Sequence, residues 1–137
     1  MMTRIGSRKS VDSEYWVGRL AVARAYRRAA DEAMVLAEPG TDANPIISQI
    51  VIGAIAYADC VTAKRASVIN QQDHMTALKL LRDVMGAALP AAQENRFRRI
   101  LGNKDASQYG ARAGSTSQAQ RLLGDLTEFA TWVEGQL

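Results

Sequence analysis

Cysteine, histidine and proline are scarce in this chain of 137 residues, and each scarcity excludes something. One cysteine, Cys60, rules out a disulfide scaffold. One cysteine and one histidine, His74, cannot supply a zinc site at familiar ligand spacings. Three prolines and 6% aromatic residues leave long stretches free to form helix. No P-loop, dinucleotide fingerprint or nucleophile elbow is present. No stretch reaches about 18 uncharged apolar residues, so a membrane-spanning helix and a membrane partner are not expected. The first residues, Met1-Met2-Thr3-Arg4, lead into polar sequence without an apolar core of a signal peptide, which makes a reduced, cytoplasmic protein the default expectation. Hydrophobic residues at 47% exclude a disordered chain, and the length suits one domain.

Basic residues are missing altogether from positions 29–62, which hold Asp31, Glu32, Glu38, Asp42 and Asp59. Positions 1–28 show the reverse, with seven Arg or Lys against two acids. The net charge is only +3, so this is a local asymmetry and weak evidence for a nucleic-acid partner. Opposite blocks of this kind can neutralise one another within a fold or across a dimer.

What is abundant is helical spacing. Residues 1–11 read as a flexible basic tail, and 12–137 as one domain. Trp16, Leu20, Ala23, Ala30 and Met34 predict a first helix from near Ser13 to Leu36, capped by Asp12 or Ser13 and ended by Pro39-Gly40. Asn44-Pro45 opens the second and most apolar helix, with Ile47, Ile50, Val51, Ala54, Ala58 and Val61 on one stripe, expected to end near Asn70. Asp73 caps a shorter third helix carrying Leu78, Leu81 and Met85. Pro90 starts a fourth, with Phe97, Ile100 and Leu101 inward. Gly102 to Gly114 is polar and glycine-containing, a candidate functional loop or frayed helix end. Ser115 or Thr116 caps the last helix, whose stripe is Ala119, Leu122, Leu123, Leu126, Ala130 and Val133. The expected fold is all-α: an up-down antiparallel four-helix bundle with one additional short helix.

Charges that fall on or beside an apolar stripe need a partner, a ligand or an escape to water. Arg65 lies on the stripe of the second helix, Asp59 flanks it, and Lys104 extends the face of Phe97, Ile100 and Leu101. An internal ion pair of Asp59 with Arg65 or Lys104 is the simplest account. His74 can titrate near neutral pH and so serve acid–base chemistry. Tyr109 follows Lys104 by five residues and could bind a phosphate or a base edge with it. Arg96, Arg98 and Arg99 read as a solvated basic face. Cys60, inside the most apolar helix, reads as a buried, inert thiol.

Three short motifs resemble one group of HEPN domains (higher eukaryotes and prokaryotes nucleotide-binding). They are Ala54-Ile55-Ala56-Tyr57-Ala58-Asp59, Gln72-Asp73-His74 ahead of Ala77, Leu80 and Leu81, and Leu101-Gly102-Asn103-Lys104 with Tyr109-Gly110 before a final amphipathic helix. The resemblance spans roughly Ser13 to Leu137. It implies a helical bundle that pairs as a homodimer, binds nucleotide or RNA, and in some members cuts RNA without metal or meets a cognate protein partner. The nuclease branch places His after an Arg with four to six residues between them, whereas Lys104, Asp105 and Ala106 stand at those places after Arg99 here. The expected activity is nucleotide or RNA binding in a polar groove. The alternatives are a metal-independent ribonuclease built from His74, Lys104 and Tyr109, and a non-catalytic interaction module of toxin–antitoxin type. In the ribonuclease reading Lys104 holds phosphate charge, His74 relays the proton with Asp59 orienting it, and Tyr109 donates a hydrogen bond. Asp59, Arg65 and Asp73 are the candidate ligand-binding residues. No metal or cofactor is expected.

Overall fold

A computed structural model describes residues 8–71 and 73–137. The elements are β1 (Arg8–Ser10), α1 (Tyr15–Leu36), α2 (Asn44–Ala66), β2 (Val68–Asn70) and α3 (His74–Met85). A 3-10 turn (Gly86–Ala88) follows, then α4 (Ala91–Leu101), α5 (Lys104–Tyr109) and α6 (Thr116–Gly135). The fold is all-α, with one two-stranded antiparallel ribbon.

α2 is the axis of the molecule. Ile47, Ile50, Val51, Ala54, Tyr57, Cys60 and Val61 are all buried, and burial extends right round the helix from Val51 to Ala63 except at two positions. By length and composition alone α2 could cross a membrane, but 78% of that stretch is buried within the protein, as in the core helix of a bundle. A helix apolar on all sides is satisfied by being surrounded.

Side-chain pairings give the directions. α1 runs against α2, because Cys60 donates to the Trp16 carbonyl and Arg19 reaches Asp59. α6 runs along α2, from Ala43 N–H on the Gly114 carbonyl at one end to Arg65 on Gln136 at the other. α4 opposes α6, with Phe97 stacked on Phe129 and Arg99 paired to Asp125. α1, α2, α4 and α6 thus alternate in direction along the chain, the expected up-down arrangement. α3 is the additional helix: it starts beside β2, at the C-terminal end of α2, and ends with Arg82 on Glu94 in the first turn of α4.

Several local expectations change. α2 stops at Ala66, not near Asn70, because Ser67 turns left-handed (φ 54°, ψ 38°) and Val68-Ile69-Asn70 become a strand. Their partner is Arg8–Ser10, in the register Arg8 to Asn70 and Ser10 to Val68. Positions 8–11 are therefore not part of a flexible tail; Arg8 also pairs with Asp83 on α3. Positions 1–7 of that expected tail, and Gln72 of the second motif, lie outside the described residues. Three-residue strands are too short to leave a period-two signal in sequence. Asp12 accepts from Glu14 N–H ahead of α1, Asp73 caps α3 through Met75 N–H, and Ser115 caps α6 through Gln118 N–H. Asn44 does not cap α2; Asp42 accepts from both Asn44 N–H and Gly114 N–H instead.

Gly114 is where the segment after α5 passes closest to α2. A Cβ there would meet Asn44 Oδ1 at 2.5 Å and Ile47 Cδ1 at 3.0 Å. Asn44 cannot swing away cheaply, since its amide donates to the Arg112 carbonyl. Gly114→Ala is expected to cost about 1–3 kcal/mol through overpacking. Gly124→Ala, at an exposed helical site with nothing within 4 Å, should instead stabilise by about 0.5–1 kcal/mol. Chemical denaturation of the two variants checks the opposed signs.

Candidate functional site: a polar groove beside α6

Two clefts meet at one hydrogen bond. The larger, about 690 Å³, lies between α4 and α6 and is lined by Arg96, Arg99, Arg121, Asp125 and Glu128 among others. The smaller, about 530 Å³, lies under α5 and the segment 110–115, with Asn44, Ser107 and Arg112 in its wall. Asn103 and Gln118 line both. Gln118 donates its amide N–H to Asn103 Oδ1, and Asn103 donates to the Arg99 carbonyl. The junction is thereby fixed at the end of α4, where helix order breaks at Gly102-Asn103.

The cations of this groove are unequally occupied. Arg99 holds Asp125 through two bonds of 3.0 and 2.8 Å. That pairing raises the guanidinium's pKa from its ordinary value. Arg96, Arg121 and Arg112 have no carboxylate partner among the described residues. Arg98 is turned out of the cleft onto Glu94 and Asn95. The basic run of α4 is thus split into three uses, rather than forming one solvated face. α6 supplies the opposite wall because Gln118, Arg121, Asp125 and Glu128 recur at helical spacing on a face that flanks the buried stripe of Leu122, Leu126 and Phe129.

Lys104 and Tyr109 sit together on α5 but line neither cleft; that helix turns Ala106 and Ser107 to the smaller one instead. The Lys104 ammonium lies 5.4 Å from the centre of the Tyr109 ring, a cation–π contact across a single six-residue helix. Tyr109 is 75% exposed. Lys104 is not on an extension of the inward face of α4, as the spacing suggested, because it begins α5 after the break. α5 packs on the early part of α2, with Gln108 donating to Ser48.

The other candidates lie elsewhere. Asp59 is buried between α1 and α2 and accepts from Arg19 Nε at 3.0 Å, so its partner is neither Arg65 nor Lys104. Burial lifts its carboxyl to about 6 despite the guanidinium. Arg65 is exposed in the last turn of α2 and donates to Gln136, because the apolar packing ends one turn earlier. His74 opens α3, with its Nδ1 3.9 Å from Asp73 Oδ1. Asp73 is spent as the cap of that helix. Ser48 and Ala66 are 18 residues apart on α2, about 27 Å along the axis. That length separates Lys104 and Tyr109 from the β2–α3 end where His74 lies. Within one chain His74 is therefore far outside proton-transfer reach of Lys104 and Tyr109. Asp59, eleven residues from Ser48, is roughly 16 Å away along the same axis. Cys60 is buried, and burial pushes its thiol up to about 12, which leaves it protonated and inert.

Sequence reasoning assigned Arg96 to a solvated face, quoted Asn103 only within a motif, and did not single out Arg121 or Gln118. The signal available was the spacing of Gln118, Arg121, Asp125 and Glu128, a polar stripe beside the apolar one. Nothing in a single sequence says that α4 leaves an opening against it.

No family model matches the sequence, and no curated protein matches it. Among solved structures the fold is shared with TT1696 from Thermus thermophilus, whose crystal structure superposes with a TM-score of 0.74 at 17% identity, over 92% of this chain and 100% of that one.

Proposed function

We propose that this chain is a HEPN-like protein that binds nucleotide or RNA in the groove formed by α4, α5 and α6. The observation that carries this reading is a pair of guanidiniums, Arg96 on α4 and Arg121 on α6, that line one cleft without a carboxylate partner among the described residues, the cleft continuing past two amides to Arg112. Free guanidiniums fit phosphate oxygens two bonds at a time. The amides of Asn103 and Gln118 offer donors and acceptors for a base edge or a ribose hydroxyl. Outside the two clefts, Tyr109 beside Lys104 provides an exposed ring on which a base can stack next to a cation. A catalytic reading would need His74 brought to Lys104 from a second copy, and binding alone requires no such step.

The homodimer belongs to the same proposal. α1 leaves Val17, Val22, Val35 and Leu36 exposed, the last two at 84% and 79%, an apolar edge that a second copy would cover. Light scattering at micromolar concentration is expected to give twice the chain mass; a monomer removes this part of the reading.

The binding test is fluorescence anisotropy with a labelled single-stranded RNA and with a mononucleotide, at several salt concentrations. Arg96→Ala with Arg121→Ala is expected to lower affinity for RNA by tenfold or more and to reduce the salt slope by about 1.4, two contacts at about 0.7 each. Binding unchanged in the double variant would sink the groove assignment. RNA cleavage that persists in EDTA would add catalysis to binding.

A further inference from the structure

A second polar cavity, of about 270 Å³, lies on the other side of the bundle, where α1 crosses α2 and α6. Its walls are Arg24, Arg27, Arg28 and Asp31 from α1, Tyr57 from α2 and Glu134 from α6. The four α1 residues stand at helical spacing, so they present one stripe to the cavity. Tyr57 is fully buried as a residue, and its hydroxyl reaches the cavity floor. Burial holds the phenol above its ordinary pKa, so it stays protonated, and it donates to Glu134 Oε2 at 3.3 Å.

The charges divide into a closed pair and an open set. Arg24 grips Glu134 with two bonds, of 2.6 and 3.1 Å, which lowers the pKa of that carboxyl. That pair is neutral and internally satisfied. Arg27 lies near enough to act on both the Tyr57 hydroxyl and the Glu134 carboxylate, lowering the pKa of each, and Arg28 has no hydrogen-bond or ion-pair partner among the described residues. Asp31, one turn on, is likewise outside ion-pair distance of either arginine. Three guanidiniums line the cavity against two carboxylates, Asp31 and Glu134, and Glu134 is already taken by Arg24, so the wall carries net positive charge. The wall is thus arranged for an oxyanion.

We propose that this cavity is a binding site for a phosphoryl group, taken by Arg27 and Arg28, on a small ester that also carries an amino or hydroxyl group. Asp31 supplies the second half of the specificity. Its carboxylate faces the same cavity, opposes a further negative charge and accepts a hydrogen bond from a donor on the ester. The volume, about 270 Å³, is of the order of a small ester. The site is independent of the groove beside α6, from which the α1 stripe is separated by the body of α6.

The test is isothermal titration of the full chain with inorganic phosphate and with 2-aminoethyl phosphate, each against sodium chloride at matched ionic strength. Both phosphates are expected to bind, the amino ester more tightly. Arg28→Gln, an exposed change that leaves packing intact, should weaken both by about tenfold or more, the loss of a charge-assisted hydrogen bond. Asp31→Asn should erase the preference for the amino ester while retaining phosphate binding. Arg96→Ala with Arg121→Ala should change neither. No phosphate binding beyond the chloride control, binding indifferent to Arg28→Gln, or binding lost in the Arg96 and Arg121 variant each overturns the assignment.

Discussion

Phe129→Ala is expected to remove about 3–5 kcal/mol of folding stability, the usual cost of deleting a buried phenyl ring. Phe129 is fully buried on α6, its ring stacked on that of Phe97 with centroids 4.9 Å apart and planes within 5°. Its other side meets Trp132 at 5.9 Å. The substitution therefore empties a volume bounded by two aromatic side chains, and neither can rotate to fill it without losing its own contacts. A stacked aromatic pair adds about 0.5–1.5 kcal/mol beyond the area it buries. Against a total of about 5–15 kcal/mol for a domain, this is a large fraction, and the melting temperature should fall by roughly 10–15 °C. Val17→Ala, at a side chain that is half exposed, should change stability by no more than about 0.5 kcal/mol. The consequence reaches the groove, because the Phe97–Phe129 stack lies directly behind the α4–α6 wall. If denaturant midpoints for Phe129→Ala and Val17→Ala coincide, the stack does not hold α4 in place.

The bundle was legible because its signals are local. Apolar residues recur at helical spacing, the caps Asp73 and Ser115 stand at the helix starts, and Pro39-Gly40 and Pro90 stand at the breaks. α2 stood out as the most apolar helix, although the sequence reading put its apolar residues on one stripe and the structure buries it nearly all round. The ribbon was not legible. Val68-Ile69-Asn70 continues the helical spacing of α2, and only the arrival of Arg8–Ser10 from ahead of α1 makes a strand the better state. The partner of Asp59 was hidden for the same reason. Sequence shows a carboxylate beside an apolar stripe, and Arg19 becomes its partner only once α1 lies antiparallel against α2. The groove needed more still. Arg96, Arg98 and Arg99 are neighbours in sequence, yet the structure gives them three different surroundings, set by where Glu94 and Asp125 fall. Ion pairing between helices decides which arginines stay free for a ligand, and spacing along one helix does not contain that information.

Asp59 yields the second large effect, on the pH dependence of stability. Its side chain is 6% exposed, with Arg19 at 3.0 Å as its ion-pair partner. Burial raises the carboxyl from 3.8 to about 6, and the attraction of Arg19 only partly offsets this. The folded protein therefore takes up a proton at Asp59 near pH 6, which the unfolded chain takes up only near 3.8. Between those values the folded state binds more protons, so this group makes the protein more stable as pH falls. Above pH 6 the carboxylate is ionised in both states, and the full difference, about 3 kcal/mol at 1.36 kcal/mol per pH unit, opposes folding. Asp42, Asp83, Glu94 and Glu134 have lowered pKa values, so their stabilisation is lost only as pH falls below the ordinary carboxylate range. The interval from about pH 7.5 to 5 isolates Asp59 from them. Asp59→Asn keeps an oxygen to accept from Arg19 Nε and carries no charge, and Arg19 is 26% exposed and so still reaches water. The variant is expected to be more stable than the parent at about pH 7.5, by up to about 3 kcal/mol, with the advantage shrinking steadily toward pH 5. Groups other than Asp59 that titrate in this interval are common to both proteins and cancel in the difference. A constant difference across the interval, or a variant less stable at its upper end, would mean that the Arg19 pair outweighs the burial of the charge and that this contact is what fastens α1 to α2.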